Sequence, residues 1–358
     1  MSVVVRRGVF IHFFSLFLLM GLSSSALAAK VSDLYKQEIP VNSQSESERQ
    51  DAMGQALTNV LIKVTGQREA LSLSQVRAAV QQPTFFVQSY SYHRDDQDGQ
   101  RRQYLQVNFD EIAVNRLLRE SNVAIWGTNR PTTLMWLAIE DKGSRQILSA
   151  SAVLPQVMEG HFDTRGIPVI LPLLDFEDSL SISAVDVWGL FADKLEAASQ
   201  RYGADAILAG RLLKHGERYS GRLTFVFRGE RYQADVPDLV AAGVASVASD
   251  LVAKNLAKHY AVTAGDFSEK PLLVVENIRS VEDYAALTNY LDKLTAVREV
   301  SVRKIQGSVI ELELAIDGSV SQLSDALALG RALRAQPAHL DTVELELQNR
   351  LYYRWVAP

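Results

Sequence analysis

Cysteine is missing from this 358-residue chain altogether. No disulfide can form, and no lipid can be attached through an N-terminal cysteine. Histidine is scarce, with six in all. The five beyond the first thirty residues, His93, His161, His215, His259 and His339, include no i, i+4 pair and no HExxH or Cys/His spacing, so nothing in the histidines points to a zinc site. Basic charge is not in excess: the net charge is −5, and no lysine- or arginine-rich stripe stands out, which argues against nucleic acid and anionic lipid as partners. There is no Gly-x-Ser-x-Gly elbow, no phosphate-binding loop ending in Lys-Ser/Thr and no Gly-x-Gly-x-x-Gly, so no cofactor is implied and the easily recognised enzyme classes fall away.

Long apolar runs are equally rare, and the one that exists lies at the start. Arg6 and Arg7 precede the run Val9 to Leu22, followed by Ser23-Ser24-Ser25-Ala26-Leu27-Ala28-Ala29. Charged, apolar and small residues in that order form a secretory signal, with Ala26-Leu27-Ala28 as the cleavage box. The run is shorter than the roughly 20 residues that span a bilayer. Residues around Arg6-Arg7 fit a twin-arginine signal poorly, so general secretion is expected. The expectation is a protein of the periplasm, soluble after cleavage and without an integral membrane span. At 47% apolar and 22% charged residues the chain has ample material for packed cores.

Periodicity divides the remainder into three α/β and α+β domains. Over 30–127 a short strand ends near Pro40. Ser45 and Glu48 then mark a helix start, and Met53, Ala56, Leu57, Val60, Leu61 and Val64 share one helical face up to Gly66. A second helix near Leu73 to Val80 follows. Phe85 to Tyr92 and Tyr104 to Phe109 then read as strands about the polar loop Arg94 to Arg102, and Asp110 starts a short helix. This is a small α+β domain.

The turn formers Gly127 to Pro131 lead into a central domain, 128–264. Its apolar runs Leu134 to Ile139, Ile167 to Leu171 and Ala206 to Leu212 read as buried strands. They are separated by helices at Arg145 to Val157 and from Ser183 to Tyr202, the second opened by the Ser183/Asp186 box. A hairpin around Gly229 and a helix from Leu239 to Tyr260 complete a three-layer α/β domain. Over 265–350 the order βαββαβ is ferredoxin-like, with a last strand at Leu340 to Leu347. Residues 351–358 form an aromatic tail.

The run Ile39-Pro40-Val41, Arg49, Ala52, Ala56-Leu57 and Val60 to Gly66 resembles the opening of a bacterial family known as domain of unknown function 2066 (DUF2066). Val107 to Asp110, Val123 to Gly127, Asn129 to Pro131, Leu134 to Ala138, Gly166 to Leu174, Asp186 to Gly189 and Arg201 to Asp205 continue the likeness in order up to about Tyr260. The resemblance implies an exported envelope protein of Gram-negative bacteria and carries no catalytic residues with it. Leu195 to Leu212 is also similar to α/β domains of periplasmic assembly proteins: the curli secretion protein, outer-membrane activators of penicillin-binding proteins and the Tol-system β-propeller protein.

Candidate ligand-binding residues gather in the central domain. Asp175, Asp178 and Asp186, with Glu177, follow a strand, and beyond strand ends such acids, together with Glu140 and Asp141, can border a crevice. They suit a divalent cation or an acid/base pair, though Asp186 also suits a helix start and the others a solvated loop between Pro172 and Ser183. Trp188 with Arg211 and Arg201 can hold a planar or acidic ligand, or Trp188 can simply pack. In the tail, Tyr352, Tyr353 and Trp355 suit a partner groove or fold back over the preceding domain. The balance favours a non-enzymatic binding or assembly module for another envelope component, protein or peptidoglycan-related. The alternatives are a hydrolase or metal-dependent enzyme using the acids near Asp175, and a small-ligand receptor.

Overall fold

Each of the three sheets carries its own buried apolar side chains in the computed structural model, which describes residues 31, 33–97, 100–263, 270–337 and 350–356. The signal expected at 1–29, the strand expected at Leu340 to Leu347 and His339 lie outside the described residues.

The first sheet comprises β1 (Lys36–Val41), β2 (Val87–Gln97) and β3 (Gln100–Phe109) in the order β1-β3-β2, all antiparallel. It packs on α1 (Glu46–Thr65), α2 (Ser74–Gln81) and α3 (Glu111–Glu120). The Ser45 hydroxyl accepts from the Glu48 amide at 3.3 Å. The Glu48 carboxylate does not return to Ser45 but accepts from the amides of Asn42 and Ser43 at 2.6 and 2.8 Å, so the cap ties the helix to the end of β1. All six residues of the apolar face from Met53 to Val64 are buried, and each large one contributes about 1.5–3 kcal/mol. Gly66 ends α1 at φ 70°, where a Cβ would come within 2.8 Å of the Ala257 Cβ. The hairpin reaches further than the expected Arg94 to Arg102 loop allows. Asp95 stands opposite Arg102 in register, a cross-strand pair of opposite charge that lets pairing continue through polar sequence.

The central sheet follows the order β5-β4-β7-β8-β9. It contains β4 (Thr133–Asp141), β5 (Ser144–Ile147), β7 (Ala206–His215), β8 (Arg218–Phe227) and β9 (Glu230–Val240), with the two-residue β6 (Val169–Ile170) parallel to the start of β4. One face buries α4 (Val153–Thr164) and α8 (Ala241–Tyr260). On the other lie α5 (Phe176–Ser181), α6 (Ala184–Gly189) and α7 (Ala192–Ser199), giving three layers. Two helix expectations are corrected. Arg145 falls in β5 rather than at a helix start, because Lys142 and Gly143 both take positive φ and turn the chain back as a hairpin; the helix begins only at Val153. The single helix expected from Ser183 to Tyr202 is broken at Leu190, φ 54°, and a Cβ at Gly189 would strike the Phe191 ring.

The third sheet runs β11-β12-β10-β14-β13, comprising β10 (Leu272–Glu276), β11 (Val297–Gln306), β12 (Val309–Ile316), β13 (Leu333–Ala335) and β14 (Arg350–Trp355), with α9 (Val281–Asp292) and α10 (Val320–Gly330). The βαββα portion is as expected. The tail is corrected, because β14 lies between β10 and β13, parallel to the first and antiparallel to the second. Its pleat turns Tyr353 (5% exposed) and Trp355 (3%) into the core, so these two residues are closed to a partner, and only Tyr352 remains half-buried.

The turn formers at 127–131 make a buried junction. The Arg130 guanidinium is fully enclosed and stacks 4.0 Å above the Trp126 ring. It donates to the carbonyls of Lys63 (2.7 Å), Trp126 (2.9 Å), Gly127 (3.0 Å) and Arg165 (3.0 Å). Lys63 is in the last turn of α1 and Arg165 caps α4, so two helix C-termini supply negative potential where a carboxylate would otherwise be needed. Arg165 in turn reaches Asp250 at 2.5 Å and the Gly66 carbonyl at 3.1 Å. Toward the third sheet, Arg228 pairs with Asp325 at 2.9 Å and Arg331 with Asp205 at 3.6 Å, while Ile125 and Val262 form a β-bridge. Among the described residues, no helix is long and apolar enough to cross a membrane.

Candidate docking site

Two six-residue helices are too short to hold themselves in water, since the first hydrogen-bonded turn costs more than it returns. Yet α5 and α6 are well formed, and the candidate acids explain why. Asp175 caps α5, its carboxylate accepting the Asp178 amide at 3.0 Å. Arg201, in the turn after α7, forks onto Asp175 at 2.7 and 2.9 Å, reaches Asp178 at 3.1 Å and lies 3.3 Å from Glu177. Asp178, 2% exposed, also accepts from the Tyr202 hydroxyl at 2.6 Å and the Leu174 amide at 2.8 Å. The Tyr202 hydroxyl in turn accepts from the Leu173 amide at 2.9 Å.

These contacts shift the titration of Asp175, Tyr202 and Asp186. Hydrogen bonds from Arg201 and then from the helix amides hold the Asp175 carboxyl down at about 2. Burial, reinforced by the hydrogen bond to Asp178, pushes the Tyr202 hydroxyl up to about 12. Asp186 closes a reciprocal box with Ser183, its carboxylate accepting from the Ser183 amide at 2.9 Å, and those bonds lower its pKa. Asp175 and Asp178 are therefore brought together with Arg201, while Asp186 serves the next helix and Asp141 pairs with Lys214 at 3.5 Å. Glu140 instead accepts from Arg145 at 2.7 Å, and the Arg145 guanidinium lies 4.6 Å over the Trp188 ring. Trp188 is half-buried against the core beneath α6. Arg211 lies in β7 between Ala138 of β4 and Arg222 of β8. Among the described residues, no group of three or more His, Asp or Glu side chains is placed to hold a metal ion.

What the braced helices present is apolar. On α5 and just before it, Leu173 (70% exposed), Phe176 (78%) and Leu180 (72%) point to solvent, and Phe176 and Leu180 stand one turn apart on a single helical face. Val185 on α6 and Phe191 between α6 and α7 extend the series, both more than half exposed. Scattered exposed apolar residues are ordinary, whereas five large ones fall here within nineteen residues, and the stretch as far as Glu196 also exposes Glu177, Asp193, Lys194 and Glu196. Sequence reasoning missed this ridge because the segment between Pro172 and Ser183 reads as a polar loop. The available signal was the i, i+4 pair Phe176/Leu180.

Comparisons with curated proteins and with solved structures give no match to this chain. A domain of unknown function is nevertheless found at the N-terminal sheet. The family matched there is not DUF2066: residues 28–127 match the one described as Domain of unknown function (DUF8605).

Proposed function

We propose that the protein is a non-enzymatic binding module of the cell envelope that docks another envelope protein through the ridge on α5 to α7. The exposed series Leu173, Phe176, Leu180, Val185 and Phe191 carries the reading. Three exposed acids, Glu177, Asp193 and Glu196, against the exposed Lys194 favour a partner segment with apolar anchors flanked by lysine or arginine. The export order of residues 1–29 and the likeness to DUF2066 support an envelope location, in the periplasm. A hydrolytic role for Asp175 fits poorly, because a carboxyl held at about 2 and forked by arginine is a poor proton carrier at neutral pH.

The test is crosslinking of tagged protein in intact cells, comparing the unaltered chain with the double variant Phe176→Asp/Leu180→Asp. Both side chains are exposed, so the fold should survive, as circular dichroism would establish. A captured protein that disappears from the double variant supports the reading. A capture pattern unchanged by the two substitutions overturns it.

A further inference from the structure

On the opposite face of the central sheet, a cleft of about 630 Å³ opens where β4 and β7 reach their carboxyl ends. The chain leaves β4 toward β5 and leaves β7 toward β8, on opposite sides. The carboxyl ends of parallel strands are a common ligand position in an open α/β sheet, and the cleft's size is that of a small-molecule pocket. The floor consists of Ile139, Leu148, Leu154 and Tyr219, all buried in the main apolar core. Its sides carry Val153, from the first turn of α4, and Val240, next to the first residue of α8; both are largely exposed although they border a concave apolar surface.

Lys214 and Glu217 are the charged residues of the lining, with Gln146 the uncharged polar side chain beside the apolar ones. Lys214 lies 3.5 Å from Asp141, which occupies one of its three donor directions, and its side chain is two-thirds covered. Glu217 projects from the exposed β7–β8 turn and Asp141 offsets part of the Lys214 charge, so the two N–H donors of Lys214 that Asp141 leaves are the positive groups at the rim that face a ligand. The starts of α4 and α8 add to the same sign, because their caps, Ala152 and Val240, have no side-chain acceptor for the first-turn amides.

We infer that this cleft binds a single-chain amphiphile, with its hydrocarbon part on Ile139, Leu148 and Leu154 and its anionic end at Lys214. The site is separate from the docking ridge and stands whether or not the ridge has a partner.

The test is calorimetric titration of the purified protein with three 12-carbon probes below their micellar concentrations: dodecanoate, dodecanol and dodecyltrimethylammonium. Dodecanoate is expected to saturate one site and to bind about tenfold more tightly than dodecanol, a factor equivalent to roughly 1.4 kcal/mol, with the cation weakest. Ala152→Trp, which fills the cleft at its side, should abolish binding of dodecanoate and dodecanol. Lys214→Met should remove the preference for dodecanoate while leaving dodecanol binding unchanged. The inference is overturned if no probe saturates, if dodecanol matches dodecanoate in the unaltered protein, or if a correctly folded Ala152→Trp variant still binds.

Discussion

Replacing Arg130 by methionine tests the junction directly. The substitution removes a guanidinium that donates to four carbonyls and stacks on Trp126, while leaving a side chain long enough to occupy part of the space. A hydrogen bond from a charged donor is worth about 1.5–3 kcal/mol, so four would suggest a very large loss. Two effects reduce it. Methionine avoids the cost of burying a charge, and the freed carbonyls at the ends of α1 and α4 can recover some solvation as the junction loosens. A net destabilisation of about 3–5 kcal/mol is therefore expected, the range found when one partner of a buried charged network is removed. Urea unfolding followed by far-ultraviolet circular dichroism measures it, with Trp126 fluorescence reporting loss of the stack. Arg130→Lys should recover only part of the loss, since a point charge cannot reach all four acceptors. A cost below about 1 kcal/mol for Arg130→Met, with the urea dependence unchanged, would refute the reasoning: the carbonyls would then be satisfied without the guanidinium.

Three further outcomes follow from the same chemistry. Burial lowers the Lys63 pKa to about 8, its ammonium touching only the carbonyls of Asp33 and Lys36 at 3.5 and 3.4 Å. At Lys63 the folded chain therefore holds less proton than the unfolded one above pH 8, so the stability of the unaltered chain relative to Lys63→Met should rise from pH 8 to 10 in urea titrations. Asp178→Asn should lower the Tyr202 pKa from about 12, because burial is then its main remaining cause, and should cost about 1–3 kcal/mol; an unchanged tyrosinate titration at Tyr202, read against a Tyr202→Phe control, would sink that assignment. Trp355→Ala should cost about 3–5 kcal/mol by emptying the core beside Tyr290, whereas an exposed tail would show no change in melting temperature.

Local pattern made much of the fold legible. The α1 face from Met53 to Val64, the Ser183/Asp186 box and the alternation Ile310, Leu312, Leu314, Ile316 each involve neighbours within one element, and all are realised. What stayed hidden depends on partners far apart in sequence. Asp175 reads as a loop acid until Arg201 arrives from 26 residues away, and nothing near Arg130 announces that two helix ends will accept its protons. Exposure of Phe176 and Leu180 is likewise a property of how α5 lies on the sheet, not of its composition. The aromatic stretch after Arg350 left a partner groove and folding back both open for the same reason: its destination, the edge of β10, is set by a pairing that local periodicity cannot show.

That pairing has a kinetic side. Arg354 and Glu276, which meet across β10 and β14, are separated by 78 residues, so a large loop must close before this sheet is complete. Until it does, β10 carries an open edge of unpaired backbone groups, the kind of edge on which another chain can pair.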